Sequence, residues 1–213
     1  KELLDRWSDF DRPLFHGGKE SSFTIEVAAN WKLAVENYCE SYHLPWVHPG
    51  LNSYSKLEDH YHIEHKNKFS GQGTRVYQQL KDGNGNVFPD FADLNAKWDT
   101  AAEYIAVYPN VLLGVHRDHA FVIILIPDGP EKTYEHIHLF YSKENTSEQL
   151  RLQNMKQWKL VFEEDVPVVE GMQRGRHAVN FDGGRFSPAM DNPTHCFHYW
   201  VANEVQNGRK QKD

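Results

Sequence analysis

The order of elements along this 213-residue chain predicts one α+β domain, an antiparallel sheet packed against two or three long helices. Three observations carry that expectation. From Tyr104 onward three apolar-rich runs, Tyr104–His116, His119–Pro127 and Lys132–Tyr141, are separated by the turn signals Arg117-Asp118 and Asp128-Gly129-Pro130, the pattern of an antiparallel meander. A long helical pattern follows over Ser147–Val166, with Leu150, Trp158, Val161 and Phe162 on or near one face. Third, no internal repeat is present, and the composition is that of a packed globule: 39% hydrophobic residues, 13% aromatic and 25% charged.

The remaining elements follow in order. Residues 1–20 are charged and broken by Pro13, Gly17 and Gly18, and read as an irregular incoming linker, with the domain proper over 21–213. Ser22–Ala28 alternates Phe23, Ile25 and Val27 with Thr24 and Glu26, as a short strand does. Asn30 is a helix N-cap ahead of Trp31, Val35, Tyr38 and Tyr42, an aromatic stripe expected to be core, and Pro45 is expected to stop that helix. Strands are expected near Asp59–His65 and Gln72–Leu80. Lys81–Thr100, broken by Asp82-Gly83-Asn84-Gly85 and Pro89, reads as a long lid, binding loop or disordered insert. After Gly183-Gly184, a last helix is expected over Asn192–Glu204.

Charge and cysteine usage narrow the function. A formal net charge of −7 argues against a nucleic-acid partner or an anionic membrane surface. No window approaches 18 uninterrupted apolar residues, and no basic-then-apolar leader opens the chain, so neither a membrane span nor a signal peptide is expected. Cys39 and Cys196 cannot build a disulfide framework and suit a reducing cytoplasm.

Histidine stands out, at 13 residues. His43 and His48 have H-x4-H spacing, but a chain this rich in His should show ~0.8 such pairs by accident. His60 and His65 are indeed a second pair. Positions five apart on a straight helix diverge by about 140°, so the first pair can share a metal only if the helix breaks. Pro45 supplies a break. Glu36, Glu40 and His43 fall at i, i+4 and i+7, and two His with one carboxylate is the ligand set of non-haem Fe(II) oxygenases. The plain alternative is satisfied core histidines. His60, His62 and His65 form a rival cluster but split between strand faces, as on an exposed strand. His136 and His138 share a face and either line the sheet or face a cavity. His116 and His119 flank the Arg117-Asp118 turn and are expected on the surface. Asp165 sits beside Glu163 and Glu164 in an acidic run that would ordinarily be a solvated face, although Pro167 should kink that helix and can aim a carboxylate inward.

The stretch from Asn30-Trp31-Lys32 through Glu36-Asn37, Glu40 and His43 to His48-Pro49-Gly50 closely resembles the iron-binding segment of Rieske-type non-haem iron oxygenases. Asp165, Glu170 and Gln173 match that family's third iron ligand with Glu at +5 and Gln at +8, spacings that Glu163 and Glu164 do not satisfy. Tyr108-Pro109-Asn110, Gly184-Arg185-Phe186-Ser187-Pro188 and Phe197-His198-Tyr199-Trp200 also resemble the family, so the likeness runs from about residue 22 onward.

The resemblance implies a helix-grip (START/Bet v 1-like) fold, a curved antiparallel sheet gripping a long helix. It implies a mononuclear Fe(II) held by His43, His48 and Asp165, with Glu40 and Asn37 as catalytic residues and Glu40 coupling the iron to the Rieske cluster of a neighbouring subunit. Glu rather than Asp at position 40 resembles the choline, carnitine and betaine branch. A quaternary ammonium substrate would want an aromatic cage, for which Trp98, Tyr104, Tyr108 and Phe121 are candidates. The family's [2Fe–2S] cluster needs C-x-H and C-x2-H pairs; only Cys196-Phe197-His198 fits either, and it lies in the last helix pattern. The Rieske domain is therefore expected outside these residues, in a longer chain or a separate subunit. The implied activity is O2-dependent hydroxylation or oxidative demethylation of a small organic substrate, with electrons from an NAD(P)H-linked reductase, in a homotrimer. Two other readings remain: a metal-free helix-grip ligand carrier derived from an oxygenase, and a zinc hydrolase using the same ligands.

Overall fold

The computed structural model describes residues 1–210; the last three residues of the expected domain, 211–213, lie outside them. Eight strands form one antiparallel sheet: β1 (Phe15–His16), β2 (Ser22–Val27), β3 (His60–His65), β4 (Phe69–Thr74), β5 (Ala102–Val107), β6 (Val111–Val115), β7 (His119–Pro127) and β8 (Thr133–Tyr141). Their spatial order is β1-β8-β7-β6-β5-β4-β3, with β2 also paired to β8. From β4 to β8 the strands are a plain meander, as the turn signals predict. Only β2 to β3 crosses from one edge to the other. That crossing carries α2 (Trp31–Cys39), α3 (Leu44–Val47) and α4 (Pro49–Asn52), so the His43 segment must run across a sheet face.

The helices behind that face are α5 (Glu148–Arg176) and α6 (Asn192–Lys210). Between them and the sheet lies the main core, with Ile25, Val27, Ile123, Leu125, Ile137 and Leu139 meeting Leu33, Val35, Leu150, Trp158, Phe162 and Phe197. Each such side chain removed from water contributes about 1.5–3 kcal/mol. The α+β architecture, an open curved sheet with long helices, is as expected.

Several local expectations change. Asn30 caps α2, its side chain accepting from the Lys32 N–H, but the helix ends at Cys39. Glu40 turns extended there (φ −121°, ψ 159°), and its carboxylate accepts N–H bonds from Tyr42 and His43, starting a new turn. Pro45 then sits inside the first turn of α3, where its missing N–H leaves no bond broken. The polar stripe Glu36, Glu40, His43 therefore does not exist as a helix face. Of the aromatic stripe, Val35 is buried and Tyr38 packs on the core, whereas Tyr42 is exposed. The run Tyr104–His116 folds back at Tyr108-Pro109-Asn110 into two strands, and the strand expected at Gln72–Leu80 is Phe69–Thr74. Helix α5 continues through Pro167 to Arg176, ten residues beyond the expected Val166, and α6 extends to Lys210.

The largest departures are on the sheet's other face. Residues 1–20 are packed rather than irregular: α1 (Glu2–Arg6) and the turn after it bury Trp7 and Phe10 against Ile63, Phe69, Ile105 and Val115. The 81–100 segment is not a free flap either, because Phe91 and Trp98 join this second core and Phe88 the first. At the centre sits Glu103, 1% exposed, accepting from Arg6 Nε and a second Arg6 nitrogen (2.8 and 2.9 Å), Trp7 Nε1 (2.7 Å) and the Tyr61 hydroxyl (2.9 Å). Gly73 is required here, since a Cβ would lie 2.3 Å from the Tyr61 ring.

Burial opposes ionisation of Glu103, but Arg6, Trp7 and Tyr61 outweigh it and hold its carboxyl below the usual range. A depressed carboxylate stabilises the fold above its unfolded pKa of about 4.3 and loses that contribution as pH falls through the folded value. Glu103→Ala should therefore destabilise by about 2–3 kcal/mol at pH 7. Glu103→Gln should flatten the acid limb of the stability curve below about pH 4.3, both read by urea denaturation.

Candidate metal centre and its cavity

Three elements bring the candidate ligands together. His43 closes the turn that Glu40 starts, His48 follows α3, and Asp165 projects from α5. His48 Nε2 lies 3.0 Å and His43 Nε2 3.5 Å from Asp165 Oδ1. Among the described residues this is the one place where three such ligand atoms lie within 4.8 Å of one another. Ligands adjacent around a metal with bonds of about 2.1 Å stand about 3 Å apart, so little movement is needed to take one.

The other ring nitrogens decide what the three atoms are. His43 Nδ1 is 2.6 Å from Glu40 Oε1, and His48 Nδ1 is 2.8 Å from Glu164 Oε2. Each carboxylate holds a proton on Nδ1, leaving the Nε2 lone pair of a neutral ring aimed at Asp165, as metal-ligating histidines are commonly oriented. With both Nε2 atoms unprotonated, the buried Asp165 Oδ1 has no hydrogen-bond donor. Three lone-pair donors thus face one point with nothing between them, an arrangement that a cation relieves. Burial disfavours a charged His48, yet without a cation the neighbouring Asp165 and Glu164 carboxylates outweigh it and raise its pKa, so a proton on His48 Nε2 directed at Asp165 takes the place that a metal would fill. The donor set, two imidazoles and a carboxylate, fits a mononuclear transition metal.

The acidic run is divided three ways by the helix. Asp165 faces the histidines, Glu164 anchors His48, and Glu163 pairs with Lys159 on the outside. Glu170 and Gln173 accept main-chain N–H bonds from Ala28 and Asn30 (both 3.0 Å), tying α5 to the start of α2. Glu36 lies away from the centre, paired to Arg176 and His198. Glu164 was missed as a functional residue, and its i−1 position beside Asp165 was the available signal.

His43, His48 and Asp165 open onto a cavity walled by aromatic side chains, among them Tyr54, Tyr77, Tyr104, Phe121, Trp158 and Phe162. Asn37 is buried and lines it beside His43. Among the described residues no Lys or Arg does, and Asp165 is its one acidic residue. Besides Asp165 Oδ1, two polar atoms are buried there without partners, His60 Nδ1 and Gln72 Oε1, and burial pushes His60 down to about 4, so it is neutral. His60 is thus a cavity residue rather than part of an exposed strand; its β3 side chain shares a face with its register partner Thr74. Of the four cage candidates, Tyr104 and Phe121 line the cavity. Trp98 belongs to the second core and bonds Asp9, and Tyr108 packs on Phe197 and Trp200. His136 and His138 bond Thr24 and Ser22 and line the sheet, not the cavity.

His116 and His119 reverse the surface expectation most clearly, at 0% and 2% exposure. They flank a two-residue turn as a paired couple, with the His116 N–H donating to the His119 carbonyl (2.9 Å). Cross-strand partners point to one face, so both enter the core while Arg117 stays outside, paired to Asp90.

A curved antiparallel sheet gripping a long helix, with a two-histidine, one-carboxylate centre over an apolar cavity, defines the class to which mononuclear non-haem iron oxygenase domains belong. Residues 17–207 match the family model of the ring hydroxylating alpha subunit (catalytic domain), and the chain belongs to that family. It is 25% identical over 207 residues to putrescine 2-hydroxylase of Bordetella bronchiseptica, covering 90% of this chain and 48% of that protein. It is 26% identical to the chloroplastic choline monooxygenase of Arabidopsis thaliana, covering 83% and 39% respectively. The crystal structure of the quaternary ammonium Rieske monooxygenase CntA with an inhibitor superimposes at a TM-score of 0.65, with 25% identity over 87% of this chain and 49% of that one. Dicamba monooxygenase, at 13% identity over 89% of this chain and 60% of that one and a TM-score of 0.60, shares the fold. The chain spans about half the length, or less, of the curated relatives it matches.

Because Glu164 fixes the His48 ring, Glu164→Ala should weaken the binding of a divalent ion at this centre about 10–100-fold, read by competition with a chromogenic chelator.

Proposed function

We propose that this chain is the catalytic domain of a Rieske-type oxygenase, binding one Fe(II) through His43, His48 and Asp165 and oxidising a small organic substrate held in the adjoining cavity. The observation that carries the reading is the convergence of His43 Nε2, His48 Nε2 and Asp165 Oδ1, with both Nδ1 atoms tied back to carboxylates. When bound, Fe(II) in such a set activates O2 for hydroxylation at a C–H bond, using electrons from a Rieske cluster and an NAD(P)H-linked reductase. Membership of the ring-hydroxylating family supports that chemistry.

The chain's own residues do the rest. Glu40 and Glu164 hold the two imidazoles in their ligating tautomers. Glu40, near the surface at 15% exposure, is the acidic residue through which a neighbouring subunit's Rieske domain would be coupled, in a trimer. The aromatic wall excludes water and offers π faces to an N-methylated cation, while His60 Nδ1 and Gln72 Oε1 can meet a substrate hydroxyl or amine. Similarity to choline and carnitine monooxygenases supports a quaternary ammonium substrate, and hydroxylation of its N-methyl group would give an unstable carbinolamine and hence demethylation.

Anaerobic reconstitution with Fe(II), followed by metal counting, tests the reading. One iron per chain is expected for the wild type, and at least about tenfold weaker binding for Asp165→Ala. Uptake unaffected by the substitution would remove Asp165 from the ligand set.

A further inference from the structure

Beyond the metal centre, the cavity's aromatic wall is anchored to a buried polar cluster that the proposed chemistry does not use. Asp118 is 0% exposed. Its Oδ1 accepts from the Tyr77 hydroxyl (2.9 Å) and lies 2.8 Å from His119 Nδ1, and its Oδ2 accepts from Gln79 Nε2 (3.3 Å). Trp158 Nε1 is 2.8 Å from His119 Nε2. The His116 ring stacks on that of His119 (centroids 4.3 Å apart, planes at 8°), and its Nε2 is 3.1 Å from the Tyr104 hydroxyl. Three aromatic side chains lining the cavity, Tyr77, Tyr104 and Trp158, are thus tethered by their polar tips to one cluster behind the wall.

The protonation of the cluster follows from its donors. An indole N–H can only donate, so His119 Nε2 must carry a lone pair. The single remaining ring proton is then on Nδ1, donated to Asp118, and the imidazole is neutral. Asp118 remains an anion, because its three polar partners, the Tyr77 hydroxyl, His119 Nδ1–H and Gln79 Nε2, all donate to its oxygens and none accepts from it. The nearby surface cation, Arg117, is engaged with Asp90 and the Asp99 carbonyl. A buried negative charge therefore stands behind aromatic rings whose hydroxyl and N–H groups are bonded to the cluster. In a low-dielectric site, such a charge favours a cation in front of the wall over an uncharged molecule of the same shape.

We propose that Asp118 is a positioning residue for substrate selection: through Tyr77, His119 and Trp158 it holds the aromatic wall, and its charge makes the cavity prefer a compact monocation to an isosteric neutral molecule. The inference rests on the reading that this cavity is the substrate site, and it is independent of which metal the centre holds.

The test compares two probes of matched shape, choline and its carbon isostere 3,3-dimethylbutan-1-ol, by calorimetry on the Fe(II)-reconstituted chain. The wild type should bind the cation about tenfold more tightly or better. In Asp118→Asn, which keeps the size and an oxygen that accepts from Tyr77 and His119, that ratio should fall toward one. Tyr77→Phe, which removes a single hydroxyl, should lower it by a smaller factor and decides the matter if the Asp118 variant does not fold. A wild type without preference for the cation, or variants in which both probes weaken equally and the ratio stands, would overturn the proposal, because a purely structural role moves both affinities together. Iron counts on the same samples separate the two readings. A selective chain that takes no iron defeats the oxygenase assignment alone, and an iron-loaded chain without selectivity defeats this inference alone.

Discussion

The site depends on the register between α5 and the chain crossing the sheet in front of it. Two main-chain bonds set that register, from the Ala28 N–H to Glu170 and from the Asn30 N–H to Gln173. Asn30 is the N-cap of α2, whose N–H has no partner within the helix, and Ala28 lies in the short connection from β2. Glu170 and Gln173 stand five and eight residues beyond Asp165, so pinning them fixes how far α5 can slide or rotate. A slip of one residue would turn the helix by about 100°, replacing Asp165 with Glu164 or Val166 opposite the histidines. The motif spacing that links Asp165, Glu170 and Gln173 is thus explained by alignment of one helix against another.

With the register set, one helical face serves both halves of the site. Trp158, Phe162 and Asp165 fall at i, i+4 and i+7 on α5, so the aromatic wall and the carboxylate share a stripe about 10 Å long. Glu164, about 100° around the helix, reaches His48 from the side and sets its tautomer. The opposite sheet face is held by a separate core closed by Trp7, Phe10 and Trp98. Strands β3 to β6 are therefore covered on both sides, which gives the cavity floor, His60, Gln72 and Tyr104, a rigid backing.

Legibility in the sequence follows the range of the interactions. The meander and the two long helices were readable because their hydrophobic periods and turn signals are local. The ligand set was readable only through its resemblance to a known motif, since H-x4-H spacing alone is worth little in a chain with 13 His. Placement of His116, His119 and Asp118 was not readable. Each looks like turn chemistry locally, and what buries them is a tryptophan N–H, a tyrosine hydroxyl and a glutamine far along the chain or on other elements. The same holds for residues 1–20, whose charged composition conceals Trp7 and the Arg6–Glu103 pair. The end of α2 failed for a different reason. Pro45 was the visible breaker, but the Glu40 side chain bonds the next turn's N–H groups and stops the helix first.

The electrostatics of the cavity follow from where its charges stand. At one end Asp165, Glu164 and Glu40 surround two imidazoles that a bound divalent ion leaves neutral. Behind the aromatic wall stands Asp118, whose imidazole partner is also neutral. Among the described residues no Lys or Arg lines the space between. An anion entering it would lose hydration and meet the charge of Asp118 behind the wall, with no guanidinium or ammonium among the described lining residues to receive it. A cation loses hydration as well, but it gains the π faces of Tyr77, Tyr104 and Trp158 together with the field behind them. If this cavity is the substrate site, as proposed, the charge of its occupant is constrained as well as its shape, because no Lys or Arg among the described lining residues supplies a counter-ion for an anion.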